Sequence, residues 1–147
     1  MKKLYINDSE VRGLTQEIIR QLILTNFVPK LVVGLSRGGL VPAVYISQFF
    51  DCDFFALNKQ ELFPELDEVE NILIVDDIND TGKTFKLVNE DVSNLGIQVR
   101  YAALLDNAGS DFTVDYYGRE IDKVKDPCWV VYPWENWWNS DNTNQSR

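Results

Sequence analysis

Residues 72–84 read ILIVDDINDTGKT, and the fold expected for this chain rests on that stretch. Branched apolar residues followed at once by two aspartates are typical of a strand that is buried on both faces of a parallel sheet. From Thr81 the apolar residues recur on one face as far as Leu95, which predicts a helix that Gly96 would end. A buried strand that runs through a loop into a helix is the repeating unit of α/β proteins.

A second unit of this kind precedes the first. Apolar residues 31–35 predict a strand, residues 36–39 read SRGG, and Leu40–Phe50 is helical in pattern with Pro42 in its first turn. Further strands are expected at residues 54–57, 99–105 and 129–132, and an amphipathic helix at residues 9–26. The chain is therefore predicted to form an α/β fold with a mostly parallel, twisted sheet flanked by helices.

The charge of the protein limits its partners. Its 147 residues include 14 Lys and Arg against 23 Asp and Glu, a net charge of −9, and its length predicts one compact domain. A chain this acidic is not expected to bind nucleic acid or anionic lipid through a broad surface. The first residues lack the apolar stretch of a signal peptide, and no apolar run approaches about 18 residues, so we expect a cytoplasmic protein with no membrane partner.

Histidine is absent from the chain, which excludes several kinds of catalytic site. Ser-His-Asp and Cys-His nucleophiles and HExxH zinc sites all need an imidazole. Proton transfer would have to use a carboxylate, lysine, tyrosine or cysteine. Cys52 and Cys128 form no CxxC pair and are expected to be reduced, buried thiols rather than a disulfide.

The loop after the strand of residues 71–75 carries the most informative chemistry. The N–H groups of Thr81, Gly82, Lys83 and Thr84 open a helix, where they lack backbone partners and can bind a phosphate. Carboxylates at Asp76 and Asp77 can accept hydrogen bonds from sugar hydroxyls and can hold Mg²⁺. A phosphorylated sugar satisfies both groups; the alternative is a solvated turn in which Asp80 caps the helix.

Three stretches in the same order resemble the type I phosphoribosyltransferases. Residues 74–84, IVDDINDTGKT, are similar to that family's motif for phosphoribosyl pyrophosphate. Residues 35–43, LSRGGLVPA, resemble the pyrophosphate loop of its xanthine-guanine and hypoxanthine members, and residues 129–135, WVVYPWE, resemble their hood segment. The resemblance implies a single domain over residues 1–138 with hood elements near both ends. The tail at 139–147 is polar, and its composition leads us to expect disorder there.

The resemblance also implies roles for individual residues. Asp80, Thr81, Gly82, Lys83 and Thr84 would hold the 5′-phosphate of phosphoribosyl pyrophosphate. Asp76 and Asp77 would bind the ribose hydroxyls directly or through Mg²⁺. Ser36, Arg37 and Gly38 would bind the pyrophosphate, with Arg37 stabilising the leaving charge, and Asp80 would exchange a proton with the purine. Trp129, with the backbone of Val130 and Val131, would contact the purine base, although a buried core tryptophan is an alternative.

The chain departs from that family at two places. Where the purine enzymes carry a lysine that donates to the 6-oxo group, this sequence has Asp106, which accepts hydrogen bonds, followed by Asn107, which can donate. The segment from Asn58 to Glu70, where a lid is expected, is acidic and polar, is interpreted as a mobile surface loop without an apolar face, and offers Lys59 as its cation.

The sequence therefore leads to one main hypothesis and two alternatives. The main one is a Mg²⁺-dependent purine phosphoribosyltransferase of nucleotide salvage that uses guanine, xanthine or hypoxanthine. The alternatives are a catalytically weak regulatory protein that binds nucleotides in the same fold, and a transferase for a 6-amino or other base. The family implies a homo-oligomer, dimer or tetramer; Trp134, Trp137 and Trp138 are expected to pack the hood or a subunit interface rather than to touch substrate.

Overall fold

The structure is a computed structural model that describes residues 1–66, 68–136 and 138. Seven strands and four helices follow one another in these parts of the chain. In chain order they are β1 (Lys2–Tyr5), α1 (Asp8–Leu24), β2 (Leu31–Ser36), α2 (Leu40–Phe50), β3 (Asp53–Asn58), β4 (Asn71–Asn79), α3 (Lys83–Val92), β5 (Gln98–Asn107), β6 (Tyr116–Ile121), β7 (Cys128–Val131) and α4 (Pro133–Asn136).

Five strands form the main sheet in the order β3-β2-β4-β5-β6, and every neighbouring pair is parallel. Its central strands are buried on both faces, because alternate residues enter two separate apolar cores. The core on the α1 and α2 side includes Val32, Leu73 and Leu104, while the core on the α3 side includes Ile74 and Ala103. This arrangement confirms the predicted α/β fold with a parallel sheet between helices.

The two ends of the chain form a second, small sheet. β1 pairs in parallel with β7, with Leu4 opposite Val130, and we call this pair the hood sheet. Cys128 and Val130 join the core on the α1 side, so the hood sheet packs onto the main domain.

The strand order places one crevice in the sheet. From β2 the chain crosses to β3 at one edge, whereas from β4 it crosses to β5 on the other side, so the loops after β2 and β4 leave in opposite directions. Ligands of open parallel sheets bind at such a point, beyond the carboxyl ends of the strands. The register between the two strands ends at the pair Gly34–Val75, and β4 continues for four further residues along β5.

The predicted helices and strands are found, with three omissions and two wrong boundaries. β1, β6 and the short helix α4 were not predicted from the sequence. β4 was predicted to end at Val75 but continues to Asn79, so Asp76 and Asp77 belong to the strand and not to the loop after it. The helix predicted over residues 81–95 is shorter, since α3 spans Lys83–Val92 and ends at Ser93. Gly96 adopts a left-handed φ of 70°, but it lies beyond the end of this helix.

The acidic segment from Lys59 to Glu70 corrects another expectation. Its described residues form no helix or strand, as predicted, but it does have an apolar side. Phe63, Leu66 and Val69 pack against the core on the α3 side, and the ring of Phe63 meets Phe55 with centroids 5.8 Å apart. The segment is therefore attached to the edge of the sheet by its apolar residues.

Other expectations concern single residues and the chain ends. Cys52 and Cys128 are both free thiols; Cys128 is buried as predicted, whereas Cys52 is only partly buried. Within the described ranges, no helix combines the length and the apolar character needed to cross a bilayer. Trp137 and the predicted disordered tail at 139–147 lie outside the described residues.

Candidate active site

The loop after β2 meets the end of β4 at the crevice, and a glycine makes the contact possible. Gly38 lies so close to Asp77 that a Cβ at this position would overlap the Asp77 carboxylate. The preceding peptide bond, between Ser36 and Arg37, is cis. Only a residue without a side chain allows the loop after β2 to approach the Asp77 carboxylate this closely.

Asp76 and Asp77, which we call the acid pair, lie near the end of β4. The Asp76 side chain is only 2% exposed, and its Oδ1 accepts a hydrogen bond of 2.8 Å from the Asp77 backbone N–H. Its Oδ2 lies 3.2 Å from the Lys59 ammonium. Burial raises the pKa of both carboxyls; the charge of Asp76 adds to the rise at Asp77, whereas Lys59 opposes it. The site thus holds two carboxylates that burial and mutual repulsion make costly to ionise.

Residues 80–84 form a turn that leads into α3 and borders a cavity of about 110 Å³, which we call the small cavity. It is lined by Lys59, Asp76, Ile78, Asn79, Asp80, Thr81, Gly82, Lys83, Thr84 and Phe85. Gly82 is the N-cap of α3 and has a φ of 92°, a left-handed conformation that favours glycine. A Cβ there would lie 2.6 Å from the Phe112 backbone nitrogen and 2.8 Å from Ser110 Oγ.

A polar network connects this turn to the segment that follows β5. The buried Asn79 donates through Nδ2 to Asp106 Oδ1 at 2.9 Å and to the Phe112 carbonyl at 2.7 Å. Ser110 Oγ donates to Asn79 Oδ1 at 2.9 Å, and the Asp111 N–H donates to the Thr81 carbonyl at 2.9 Å. The segment after β5 therefore holds the turn in one position.

Asp80 does not cap α3. The N-cap is Gly82, so the interpretation of Asp80 as a helix cap is wrong. Instead, Asp80 Oδ2 lies 2.9 Å from the Lys123 ammonium, and Asn107 Nδ2 donates to the Asp80 carbonyl at 3.0 Å. The Asp80 side chain remains 42% exposed, so it can still be reached from the crevice.

A larger cavity of about 670 Å³, the large cavity, opens beside the acid pair. It is lined by Arg37, Gly38, Leu40, Val41, Lys59, Asp77, Trp134, Glu135 and Trp138. Trp134 stacks on the buried Tyr132, with ring centroids 4.6 Å apart, and the Tyr132 hydroxyl donates to the Asp77 carbonyl at 2.7 Å. Trp134 thus packs against the hood as expected, but Trp134 and Trp138 also border this cavity.

The structure brings together most of the residues singled out from the sequence. Asp76, Asp80, Thr81, Gly82, Lys83 and Thr84 line the small cavity, and Arg37, Gly38 and Asp77 line the large one. Ser36 ends β2 beside them, and Asp106 is tied to Asn79.

The predicted base contacts are placed differently. Among the described residues, Trp129, Val130 and Val131 of the hood sheet line neither cavity. Trp129 is 61% exposed and is therefore not the buried core tryptophan of the alternative interpretation, whereas Val130 and Val131 are buried. The role of these three residues stays a prediction.

Sequence reasoning missed Lys123, Tyr132 and Asn79 as parts of the site. Lys123 and Tyr132 lie 43 and 55 residues from their partners. No motif contains Lys123, and the hood motif that contains Tyr132 does not indicate its contact with Asp77. The sequence did contain one indication for Asn79, because an amide close to a buried apolar run needs polar partners.

Comparison with known proteins assigns the family. Residues 4–138 match the family described as phosphoribosyl transferase domain. Xanthine-guanine phosphoribosyltransferase of Cereibacter sphaeroides is 31% identical over 122 residues, which span 72% of this chain and 69% of that protein. The same enzyme of Idiomarina loihiensis is 25% identical over 149 residues, spanning 91% and 88%. A crystal structure of purine phosphoribosyltransferase from Pyrococcus horikoshii superposes with a TM-score of 0.76 at 28% identity, covering 92% of this chain and 95% of that one. The chain therefore belongs to the phosphoribosyltransferase family.

Proposed function

We propose that this protein is a Mg²⁺-dependent purine phosphoribosyltransferase of nucleotide salvage. It transfers ribose 5-phosphate from phosphoribosyl pyrophosphate to guanine, xanthine or hypoxanthine. The observation that carries the proposal is the small cavity, which has a glycine turn on one side and the acid pair on the other, beside a second loop that contains Arg37. The relatives named above, which are purine phosphoribosyltransferases by name, support the same reaction.

The turn of residues 80–84 is proposed to bind the 5′-phosphate. A small cavity at the start of α3 offers backbone N–H groups and the positive end of the helix dipole to an anion. Thr81, Lys83 and Thr84 line the same cavity and add hydroxyl and ammonium donors. Because Gly82 has no side chain, the backbone itself can contact the phosphate.

The acid pair is proposed to bind the ribose hydroxyls and Mg²⁺. Carboxylate oxygens are the ligands that Mg²⁺ prefers, and a buried acid pair with raised pKa values gains from a cation beside it. In the parts of the chain that the structure describes, no group of three or more acidic, histidine or cysteine side chains forms a metal cage. This fits Mg²⁺, which commonly takes one or two carboxylates and completes its shell with water and substrate phosphates. When bound, the ion would neutralise charge on the leaving pyrophosphate.

Arg37 is proposed to bind the pyrophosphate, together with Ser36 and the Gly38 backbone. During transfer the bond from C1′ to the pyrophosphate oxygen breaks, and a bond from C1′ to a purine nitrogen forms. The pyrophosphate gains negative charge in this step, and a guanidinium placed beside it lowers the barrier. Lys59 lines both cavities and is the second cation that can reach this region.

On the base side, Asp80 is proposed to exchange a proton with the purine, since its carboxylate is partly exposed next to the turn. Trp129, Val130 and Val131 are proposed to contact the base from the hood sheet, and Asp106 to lie near its 6-substituent. A single domain over residues 1–138, a homo-oligomer and a cytoplasmic location complete the proposal.

Product formation with a panel of bases tests this function. Purified protein with Mg²⁺ and phosphoribosyl pyrophosphate is expected to convert guanine, xanthine or hypoxanthine to the nucleotide, with pyrophosphate released in equal amount. Binding of the sugar without any product would contradict the proposal and favour a regulatory protein.

Asp77→Asn tests the acid pair. Loss of one of the two carboxylates is expected to abolish transfer while the circular dichroism spectrum stays unchanged, because the side chain keeps its size. Asp53→Asn is the matched control. Asp53 is exposed at the amino end of β3, away from the crevice, so this variant should retain full activity. A near-normal rate in Asp77→Asn would contradict the assigned role.

A further inference from the structure

Lys59 reaches the acid pair from the far side of a neighbouring strand. It directly follows β3, whose last residue, Asn58, pairs with Ser36 at the end of β2. Because β2 lies between β3 and β4, the Lys59 side chain reaches across the end of β2 to Asp76. Its Nζ lies 3.2 Å from Asp76 Oδ2. This ion pair therefore connects the segment after β3 to the acid pair on β4.

The carboxylate of this ion pair is buried. The Asp76 side chain is 2% exposed and that of Lys59 is 37% exposed. Lys86 and Asp111, by comparison, pair at the surface at 3.9 Å, with side chains 51% and 79% exposed. Surface pairs contribute little to stability, but a carboxylate removed from water is costly without a partner. Among the residues that the structure describes, Lys59 is the one cation paired with Asp76, so it supplies the positive charge that this carboxylate requires.

Both carboxylate oxygens of Asp76 already have a partner. Oδ1 accepts a hydrogen bond of 2.8 Å from the Asp77 backbone N–H, and Oδ2 faces the Lys59 ammonium. A divalent cation at Oδ2 would place two positive charges against one buried oxygen, where water screens their repulsion poorly. Mg²⁺ and the Lys59 ammonium therefore compete for Asp76.

The Lys59 ammonium has a second position available. Lys59 lines the large cavity as well as the small one, whereas Arg37 lines the large cavity and not the small one. The lysine stem is flexible, and a side chain that is 37% exposed is free to turn. The pyrophosphate is proposed to bind beside Arg37, so an ammonium that leaves Asp76 would meet a second anion there.

Resting on the proposed function, we propose that Lys59 is the internal counter-ion of the metal site. Its ammonium neutralises Asp76 when no metal is bound, and Mg²⁺ displaces it into the large cavity, where it donates to the pyrophosphate. One lysine thus links the binding of the metal to the binding of the leaving group. Arg37 is available to the pyrophosphate whether or not the metal is bound.

Metal binding without the sugar tests this inference. Mn²⁺ takes the same oxygen ligands as Mg²⁺, and electron paramagnetic resonance measures its binding. Lys59→Met removes the charge and keeps an aliphatic side chain. It should bind Mn²⁺ about 10- to 100-fold tighter than the wild type, because no charged hydrogen bond has to be broken first. Lys86→Met is the matched control, because it removes the lysine of a surface pair and should bind Mn²⁺ like the wild type.

Two further variants separate the ion pair from the general charge of the crevice. Lys59→Arg keeps the charge and should bind Mn²⁺ no tighter than the wild type. Lys83→Met removes a cation that lines the small cavity but does not pair with Asp76, so its gain in affinity should be clearly smaller than that of Lys59→Met. Equal gains in Lys83→Met and Lys59→Met would overturn the proposal, and so would an unchanged or weaker affinity in Lys59→Met.

Thermal unfolding and a crystal structure give two readouts that do not depend on affinity. In EDTA, Lys59→Met should have a lower Tm than the wild type, because Asp76 loses its cation, and Mg²⁺ should restore the Tm. In wild-type crystals soaked with Mg²⁺, Lys59 Nζ should leave Asp76; an intact pair beside the bound metal would overturn the proposal even if the variants fail to fold.

The proposed function can fail separately from this inference. If the wild type binds Mn²⁺ but forms no nucleotide from any base, the proposed transferase activity is wrong, while the metal affinities of the variants still decide the role of Lys59. If neither the wild type nor Lys59→Met binds Mn²⁺, the inference is overturned, while product formation would still support a transferase.

Discussion

Asp76 and Asp77 illustrate how far single residues in this site depart from what stability alone would select. Two adjacent carboxylates near the end of a buried strand repel each other, and Lys59 compensates only part of that charge. Such uncompensated charge is typical of sites that bind a cation or change charge during a reaction. The free-energy cost of this charge is confined to two residues, while ordinary hydrogen bonds fix the backbone around them.

Gly82→Ala is predicted to disable the turn of residues 80–84. The new Cβ would meet Phe112 N at 2.6 Å and Ser110 Oγ at 2.8 Å, and the left-handed φ would add strain. We expect transfer to be lost and the free energy of unfolding to fall by about 1–3 kcal/mol. Urea denaturation and the transfer assay measure the two effects. Gly13→Ala is the control, because a Cβ at Gly13 meets no atom within 4 Å; wild-type activity in Gly82→Ala would contradict the prediction.

At the level of helices and strands, the sequence best predicts those elements whose apolar residues follow one clear pattern. β2 is a continuous apolar run and α2 is apolar along most of its length, so both were found close to their observed bounds. The apolar start of β4 was found too, but its end was not, because the strand continues through Asp76 and Asp77 to Asn79. β6 reads YYGREI, with a glycine and two charges, because it is an edge strand with less apolar surface to bury. β1 reads KKLY and is held by its pairing with β7 at the far end of the chain. No local pattern records such a pairing.

Tyr132→Phe is predicted to loosen the connection between the hood and the acid pair. The Tyr132 hydroxyl is buried and donates to the Asp77 carbonyl at 2.7 Å. Without the hydroxyl, the Asp77 carbonyl loses this buried hydrogen bond, which should lower the free energy of unfolding by about 1–3 kcal/mol. Guanidinium denaturation measures the change, with Tyr117→Phe as control because Tyr117 is 37% exposed on the edge strand. Equal midpoints for the two variants would refute the prediction.

Over the whole molecule, the net charge of −9 contrasts with the charges at the crevice. Arg37, Lys59, Lys83 and Lys123 all lie at the carboxyl edge of the sheet, so the acidic chain presents cations where the proposed substrate binds. The sequence motifs located Arg37 and Lys83, because each of these residues lies within one of the two motifs that predict the site. The sequence also offered Lys59 as the cation of the expected lid, but no motif contains Lys123. The ion pairs of both lysines and the large cavity depend on the fold and could not be predicted from local sequence.

This concentration of opposite charges predicts that Mg²⁺ and the sugar stabilise the protein together. A ligand at about 100 times its dissociation constant adds about 2.7 kcal/mol to the free energy of unfolding. In a chain of this size each kcal/mol shifts Tm by about 2–4 °C, so Mg²⁺ with phosphoribosyl pyrophosphate should raise Tm by about 5–10 °C. Differential scanning fluorimetry with and without EDTA measures the shift. Without Mg²⁺ the negatively charged diphosphate group of the substrate would lie next to the acid pair with no metal ion between them, so EDTA should remove most of the shift. Asp77→Asn should reduce the shift, whereas Asp53→Asn should keep it. A full shift in EDTA would mean that the sugar binds without the metal, and the acid pair would then need another role.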